Sequence, residues 1–133
     1  MTNNSGVAIV IGHGDIAAGL VSAVQLITGR GDRLIPLSNR GLGTAEIETL
    51  LREQVEATGA RVIFTDLPAG SCNFAACHLL KGRDDIVVVT GVNLPALLHF
   101  ATQGELPPID AAAQAAERGS TALRLFTGTL RAH

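Results

Sequence analysis

A chain of 133 residues can bury a core without disulfide or metal staples, and 47% apolar against 17% charged side chains excludes a disordered polypeptide. The net charge of −2 excludes broad attraction to nucleic acid or an anionic membrane, and nine of the ten basic residues are arginines scattered along the chain. Trp and Tyr are absent and only four Phe occur, which removes the stacking platforms used to bind single-stranded nucleic acid.

The first fifteen residues, MTNNSGVAIVIGHGD, have neither a basic n-region nor a cleavable h-region, and no apolar stretch reaches membrane-spanning length. A cytoplasmic protein of one domain, residues 1–133, is expected. Val7 to Ile11 is a continuous apolar run, the mark of a strand covered on both faces, and it stops at Gly12-His13-Gly14. From Asp15 to Thr28, Ile16, Leu20, Val24 and Ile27 recur as one helical face, broken by Gly29 and Gly31. Leu34 to Leu37 is a second strand, and its Pro36 suits an edge.

Thr44 is placed as the cap of a helix in which Ile47, Leu50, Leu51 and Val55 share a face and which Gly59 closes. Val62 to Thr65 is a third strand, and Asp66-Leu67-Pro68-Ala69-Gly70 leads to Ser71 as the cap of a helix reaching Leu80. Ile86 to Thr90 is a fourth strand. Gly91-Val92-Asn93 precedes a helix over Leu94 to Ala101, with Pro95 in its first turn. After Leu106-Pro107-Pro108, Asp110 caps an alanine-rich helix that ends before Gly119. Thr121 to Phe126 alternates Leu123 and Leu125 with Arg124, which reads as a half-buried edge strand. Cys72 and Cys77, five apart on one helix, face different ways and read as buried free thiols.

Strands alternating with helices predict an α/β fold, a doubly wound and mostly parallel open sheet of four strands plus the C-terminal strand. In such sheets ligands meet the carboxyl ends of the strands, where strand order reverses. His13, Asp66, Ser71, Thr90 and Asn93 all follow strands and are the informative polar residues. His13 between two glycines leaves room for a phosphate, and the next helix points free N–H groups at the same place. A neutral imidazole can attack phosphorus, while a carboxylate such as Asp66 fixes its tautomer and aims the other nitrogen. Ser71, Thr65 and the Gly14 amide are the candidate holders of phosphoryl oxygens.

Asp15 reads as a first-turn residue, Arg40 as a solvated loop charge, and His78 and His99 as surface or packing groups. Gly12-x-Gly14-x-x-Ala17 formally matches a dinucleotide fingerprint, but the second strand ends in Ser38-Asn39-Arg40 where an acidic residue is needed. No P-loop occurs, and His13-x-Asp15 is too sparse for a metal.

Val7 to Asp15 with Gly19-Leu20 and Ser22-Ala23, Thr65-Asp66-Leu67 with Gly70-Ser71, and Val89 to Pro95 resemble, in order and spacing, three motifs of the mannose-family IIA domains of sugar phosphotransferase systems. That resemblance implies a phosphocarrier whose active histidine is His13, phosphorylated on Nε2, with Asp66 supporting it and Ser71 in the phosphate site. It implies HPr as donor and a IIB component as acceptor, with no cofactor and no metal. It implies a homodimer that exchanges its C-terminal antiparallel strand, and contact with the membrane only through the IIC and IID transporter. No fused IIB sequence follows, which implies a separate chain. Many relatives read Thr-Asp-Leu-Phe-Gly-Gly-Ser-Pro, whereas Leu67-Pro68-Ala69-Gly70-Ser71-Cys72 is similar to branches serving N-acetylgalactosamine and related amino sugars. Two alternatives remain open here, a phosphocarrier for a dihydroxyacetone kinase and a non-catalytic dimeric regulatory module.

Overall fold

Four apolar runs assemble into one parallel sheet in the computed structural model, which describes residues 6–128. They are β1 (Ala8–Gly12), β2 (Leu34–Ser38), β3 (Val62–Thr65) and β4 (Val87–Thr90), in the order β2-β1-β3-β4. Ile9 sits beside Ile35 on one side and Ile63 on the other, and Ile63 beside Val88, so the four strands end at one level. Three α-helices connect them, α1 (Ile16–Thr28), α2 (Thr44–Thr58) and α3 (Ser71–Leu79), and two follow β4, α4 (Leu94–Thr102) and α5 (Pro108–Ala122).

Side-chain alternation sorts the strands between two cores. Ala8, Val10, Val62 and Phe64 face the layer built by α1, α4 and α5, while Ile9, Ile11 and Ile63 face α2 and α3. Both faces of β1 and β3 are therefore covered, which is why Ala8 to Ile11 and Val62 to Phe64 are apolar at every position. Phe64 and Phe100 are fully buried and meet edge to face with centroids 5.6 Å apart. Burial of each contributes about 1.5–3 kcal/mol. Arg33 lies over the Phe100 ring at 5.5 Å and donates to the Gly6 carbonyl, which gives a largely buried guanidinium its partners. Pro36 sits on an edge strand, as its missing N–H requires.

Several sequence expectations shift in the structure. The buried face of α1 is carried by Ala17 and Val24 with Leu20 and Val21, and Ile16 and Ile27 are exposed. The cap of α2 is Gly43, whose N–H donates to the Glu46 carboxylate at 2.7 Å, and Thr44 is the first helical residue. The cap of α3 is Gly70, and Ser71 is the first helical residue with no capping bond of its own. Cys72 is buried, but Cys77 is exposed.

The largest difference lies after β4. Helix α5 does not stop before Gly119 but runs to Ala122. A Cβ on Gly119 would lie 2.7 Å from Asn93 Oδ1 and 2.9 Å from the Ala96 side chain, so this glycine lets α4 and α5 touch rather than ending a helix. Asn93 caps α4 by accepting from the Ala96 N–H and donates to the Gly119 carbonyl. Thr121 and Ala122 are thus helical, and residues 123–127 form no strand ladder within the described chain. Leu123, Leu125 and Phe126 are exposed, not half-buried. His133 lies outside the described residues.

Candidate functional site

Strand order reverses between β1 and β3, and both strands end in the same crevice. His13 follows β1 and Asp66 follows β3, so two residues 53 apart in sequence meet at the mouth of the sheet. Asp66 Oδ2 accepts from the His13 backbone N–H at 2.9 Å and lies 2.8 Å from His13 Nδ1. The Asp66 side chain is only 7% exposed, while the His13 ring is 47% exposed. A hidden acceptor therefore holds a reachable ring.

Gly12 makes this approach possible. A Cβ there would lie 2.5 Å from Ile16 Cγ2 and 3.0 Å from Asp66 Cγ and Oδ2. Gly70 closes the other side with φ 104, a backbone geometry that disfavours side chains, and a Cβ on it would lie 3.7 Å from His13 Cε1. Helix α3 starts at the next residue, so its first N–H groups, which lack intrahelical acceptors, open beside the imidazole.

Burial pushes the Asp66 carboxyl up, but the hydrogen bonds from the His13 backbone N–H and ring outweigh it and hold it below the usual carboxylate range. An ionised Asp66 is acceptor only, so the His13 Nδ1 must carry the donated proton. In the neutral ring that leaves the Nε2 lone pair free. Asp66 Oδ1 is buried and accepts no hydrogen bond from the described residues.

The loop between Asp66 and Gly70 is tied down from beneath. Thr90 Oγ1 donates to the Leu67 carbonyl at 2.6 Å, and Asn73 Nδ2 donates to the Pro68 carbonyl at 3.0 Å. Thr65 is fully buried, and its hydroxyl faces the Leu67 carbonyl at 3.3 Å and Asn73 Oδ1 at 3.1 Å. Thr65, read from the sequence as a candidate holder of phosphoryl oxygens, thus has its hydroxyl turned to the loop and braces it. Ser71 is half-buried at the start of α3 and stays at the site. The Gly14 N–H faces Asn39 Oδ1 at a long 3.3 Å, and Arg40 reaches across to Asp15 at 3.1 Å. Asn93 lies away from the site, in its cap between α4 and α5.

Sequence reasoning passed over Asn39, Asn73 and Cys72 as parts of this mouth. The signal for Asn39 was its place just after β2, at the same sheet end as His13. The signal for Asn73 was an amide in the first turn of a helix that follows a loop in need of hydrogen bonds. Cys72 is buried one residue past Ser71, and burial, with the Asp66 carboxylate adding to it, pushes its thiol pKa up.

Residues 7–117 match the family model of the PTS system fructose IIA component, the mannose-type IIA. The chain belongs to this family. The family places it in the sugar phosphotransferase systems as a phosphocarrier with phosphotransferase activity. Solved IIA structures share the fold. The mannose/sorbose-specific IIA subunit from Enterococcus faecalis is 18% identical with a TM-score of 0.78, over 96% of this chain and 99% of that one. A IIA component from Streptococcus agalactiae is 21% identical with a TM-score of 0.73, over 85% and 93%. A IIA protein associated with the fucose utilization operon of Streptococcus pneumoniae is 24% identical with a TM-score of 0.73, over 88% and 93%. A search of curated proteins found no match. Among the described residues of this IIA chain, no helix is long and apolar enough to cross a membrane.

Proposed function

We propose that His13 Nε2 accepts a phosphoryl group from the phosphohistidine of an HPr-type donor and passes it to a IIB component. The observation that carries this reading is the 2.8 Å contact between His13 Nδ1 and the buried, ionised Asp66, which leaves Nε2 as the outward nucleophile. In the first transfer the donor N–P bond breaks as the Nε2–P bond forms. The Nδ1 proton stays in its hydrogen bond to Asp66, which stabilises the ring as it becomes positive. The second transfer reverses this on the IIB side. Each step exchanges phosphate between similarly activated sites, so positioning and charge stabilisation suffice.

Ser71, the first N–H groups of α3 and the Gly14 amide are assigned to the phosphoryl oxygens, with Gly14 exchanging its long contact to Asn39 for the anion. Thr65 and Thr90 are positioning residues that hold the loop. Ile16, Leu67 and Phe74 are exposed apolar side chains on the segments that form the mouth, which suits docking of a protein donor. The half-exposed β4 edge and the exposed apolar Leu123, Leu125 and Phe126 suit a homodimer in which each chain lends its tail to the other. A cytoplasmic location follows from the donor. An amino sugar is the cargo in this reading, supported by the likeness of the Leu67 to Cys72 loop to the branches that serve such sugars.

Incubation with phosphoenolpyruvate, enzyme I and HPr is expected to place one acid-labile phosphoryl group on His13. Chase with purified IIB chains, with amino-sugar IIB among them, is expected to discharge it. A folded protein that stays unlabelled beside a competent HPr would defeat the reading.

A further inference from the structure

The phosphoryl site also holds a third metal-ligating group, Cys72, that phosphoryl transfer does not use. A ring nitrogen of His13, a carboxylate oxygen of Asp66 and Cys72 Sγ all lie within 4.8 Å of one another. Cys72 is 1% exposed, and its thiol has no part in holding or moving phosphate in the reading above. Asp66 also has an oxygen free to bind a ligand. Its side chain is more than nine-tenths buried, and Oδ1 accepts no hydrogen bond from the described residues while Oδ2 takes both bonds from His13. A buried carboxylate oxygen without a partner is costly, and a cation is one way to satisfy it.

We propose that His13, Asp66 and Cys72 form an inhibitory site for a thiophilic divalent cation of the zinc class. Imidazole, carboxylate and thiolate are the donor types that Zn²⁺ takes, and three protein ligands leave a fourth position for solvent. Donor atoms around a tetrahedral zinc stand about 3.3–3.8 Å apart, so closing on an ion asks for shifts of about 1 Å. The ion enters from the half-exposed His13 side, and binding releases the thiol proton to solvent. The positive end of α3 opposes a cation here, and the carboxylate and thiolate charges offset it. Spacing in the sequence hides the site, because residues 13, 66 and 72 come together only through the pairing of β1 with β3.

The regulatory consequence rests on the phosphocarrier reading. A cation on Nδ1 displaces the bond to Asp66, and a cation on Nε2 occupies the nucleophile. Either way the loaded protein does not accept phosphate.

Co²⁺ is the spectroscopic probe, with the full chain in a chelator-free buffer. Wild type is expected to bind one Co²⁺ per chain with a near-ultraviolet thiolate-to-cobalt charge-transfer band. Cys77→Ser is expected to keep the band and Cys72→Ala to lose it. Asp66→Asn is expected to weaken binding at least about ten-fold, the scale on which even outer partners of metal ligands act. Zn²⁺ is expected to slow labelling of wild type by phospho-HPr and to leave Cys72→Ala unaffected. No saturable band in wild type, or a band that follows Cys77, overturns the site whether or not Cys72→Ala folds. Zn²⁺ that binds without slowing labelling overturns the inhibition. A protein that labels normally but ignores Co²⁺ sinks this inference alone, and one that binds Co²⁺ but never labels sinks the phosphocarrier reading and the inhibition with it, while the cation site stands.

Discussion

The mouth between β1 and β3 and the tail beyond α5 are built on opposite terms. At the mouth nearly every polar group has a partner from its own chain. Asp66 holds His13, Thr90 and Asn73 hold the loop, and Gly12 leaves the space that lets them meet. At the tail, Leu123 and Leu125 are 91% and 78% exposed, and the strand nearest the open side, β4, is only half covered. The first region is preorganised within one chain, so single substitutions there should act on chemistry. The second carries apolar surface that one chain does not bury, so substitutions there should act on association.

The contrast is broken most severely at the nucleophile. His13→Ala is expected to abolish phosphoryl acceptance while leaving the circular dichroism spectrum close to wild type, because the ring is half exposed and the backbone N–H still reaches Asp66. Labelling that survives at any other residue would move the site.

Asp66→Asn comes next. The amide keeps the shape but presents its Nδ1 neighbour with the wrong charge, and an orienting carboxylate of this kind is worth roughly 10²–10⁴ in rate. Single-turnover transfer from phospho-HPr is the measurement. Stability gives a second reading of the same group. Its folded-state pKa lies below the unfolded value, so its contribution is complete above about pH 4, the unfolded carboxyl, and is lost as pH falls through the folded value. Acid unfolding of wild type in the presence of EDTA is therefore expected to steepen below about pH 4, and Asp66→Asn is expected to lose that component. Superimposable acid limbs would remove the ionised Asp66 from the account.

Gly12→Ala tests the space between them. Ile16 can turn its methyl away from a new Cβ, but Asp66 cannot retreat without leaving His13. Overpacking of this kind costs about 1–3 kcal/mol. The expected result is a lowered melting temperature together with a transfer rate between those of wild type and Asp66→Asn. A stable variant with wild-type transfer would show that the pair tolerates separation.

Much of this was legible because burial on two faces writes itself as unbroken apolar runs. Val7 to Ile11 and Val62 to Thr65 announced the central strands, and Pro36 announced an edge. The polar residue after each central strand then gave His13 and Asp66. What sequence left hidden were features set by neighbours distant in the chain. Gly119 reads as a helix stop, yet it is a contact point for Asn93 and Ala96. Thr65 reads as a ligand beside Asp66, yet its hydroxyl turns inward to the loop. Cys77 reads like Cys72, yet only Cys72 faces the core, because the helix rotates the second thiol toward solvent. The alternation of Leu123, Arg124 and Leu125 reads as a strand, and a strand needs a neighbour that the described residues do not supply.

The smallest effect on chemistry is expected at that tail, and it is the sharpest test of the contrast. Phe126→Ser removes an exposed aromatic far from the His13–Asp66 pair in the chain's connectivity. If each tail lies on a second copy, sedimentation equilibrium should show the wild type as a dimer and the variant shifted toward monomer. Transfer to His13 at saturating donor should stay within about two-fold, since all of the bonds that aim the ring come from within one chain. Dilution should separate the two regions further, lowering the melting temperature of the wild-type dimer by mass action while leaving that of a monomeric variant unchanged. A variant that remains dimeric would place the interface elsewhere. One that becomes monomeric and also loses transfer would show that the mouth, for all its internal bonding, depends on the partner copy.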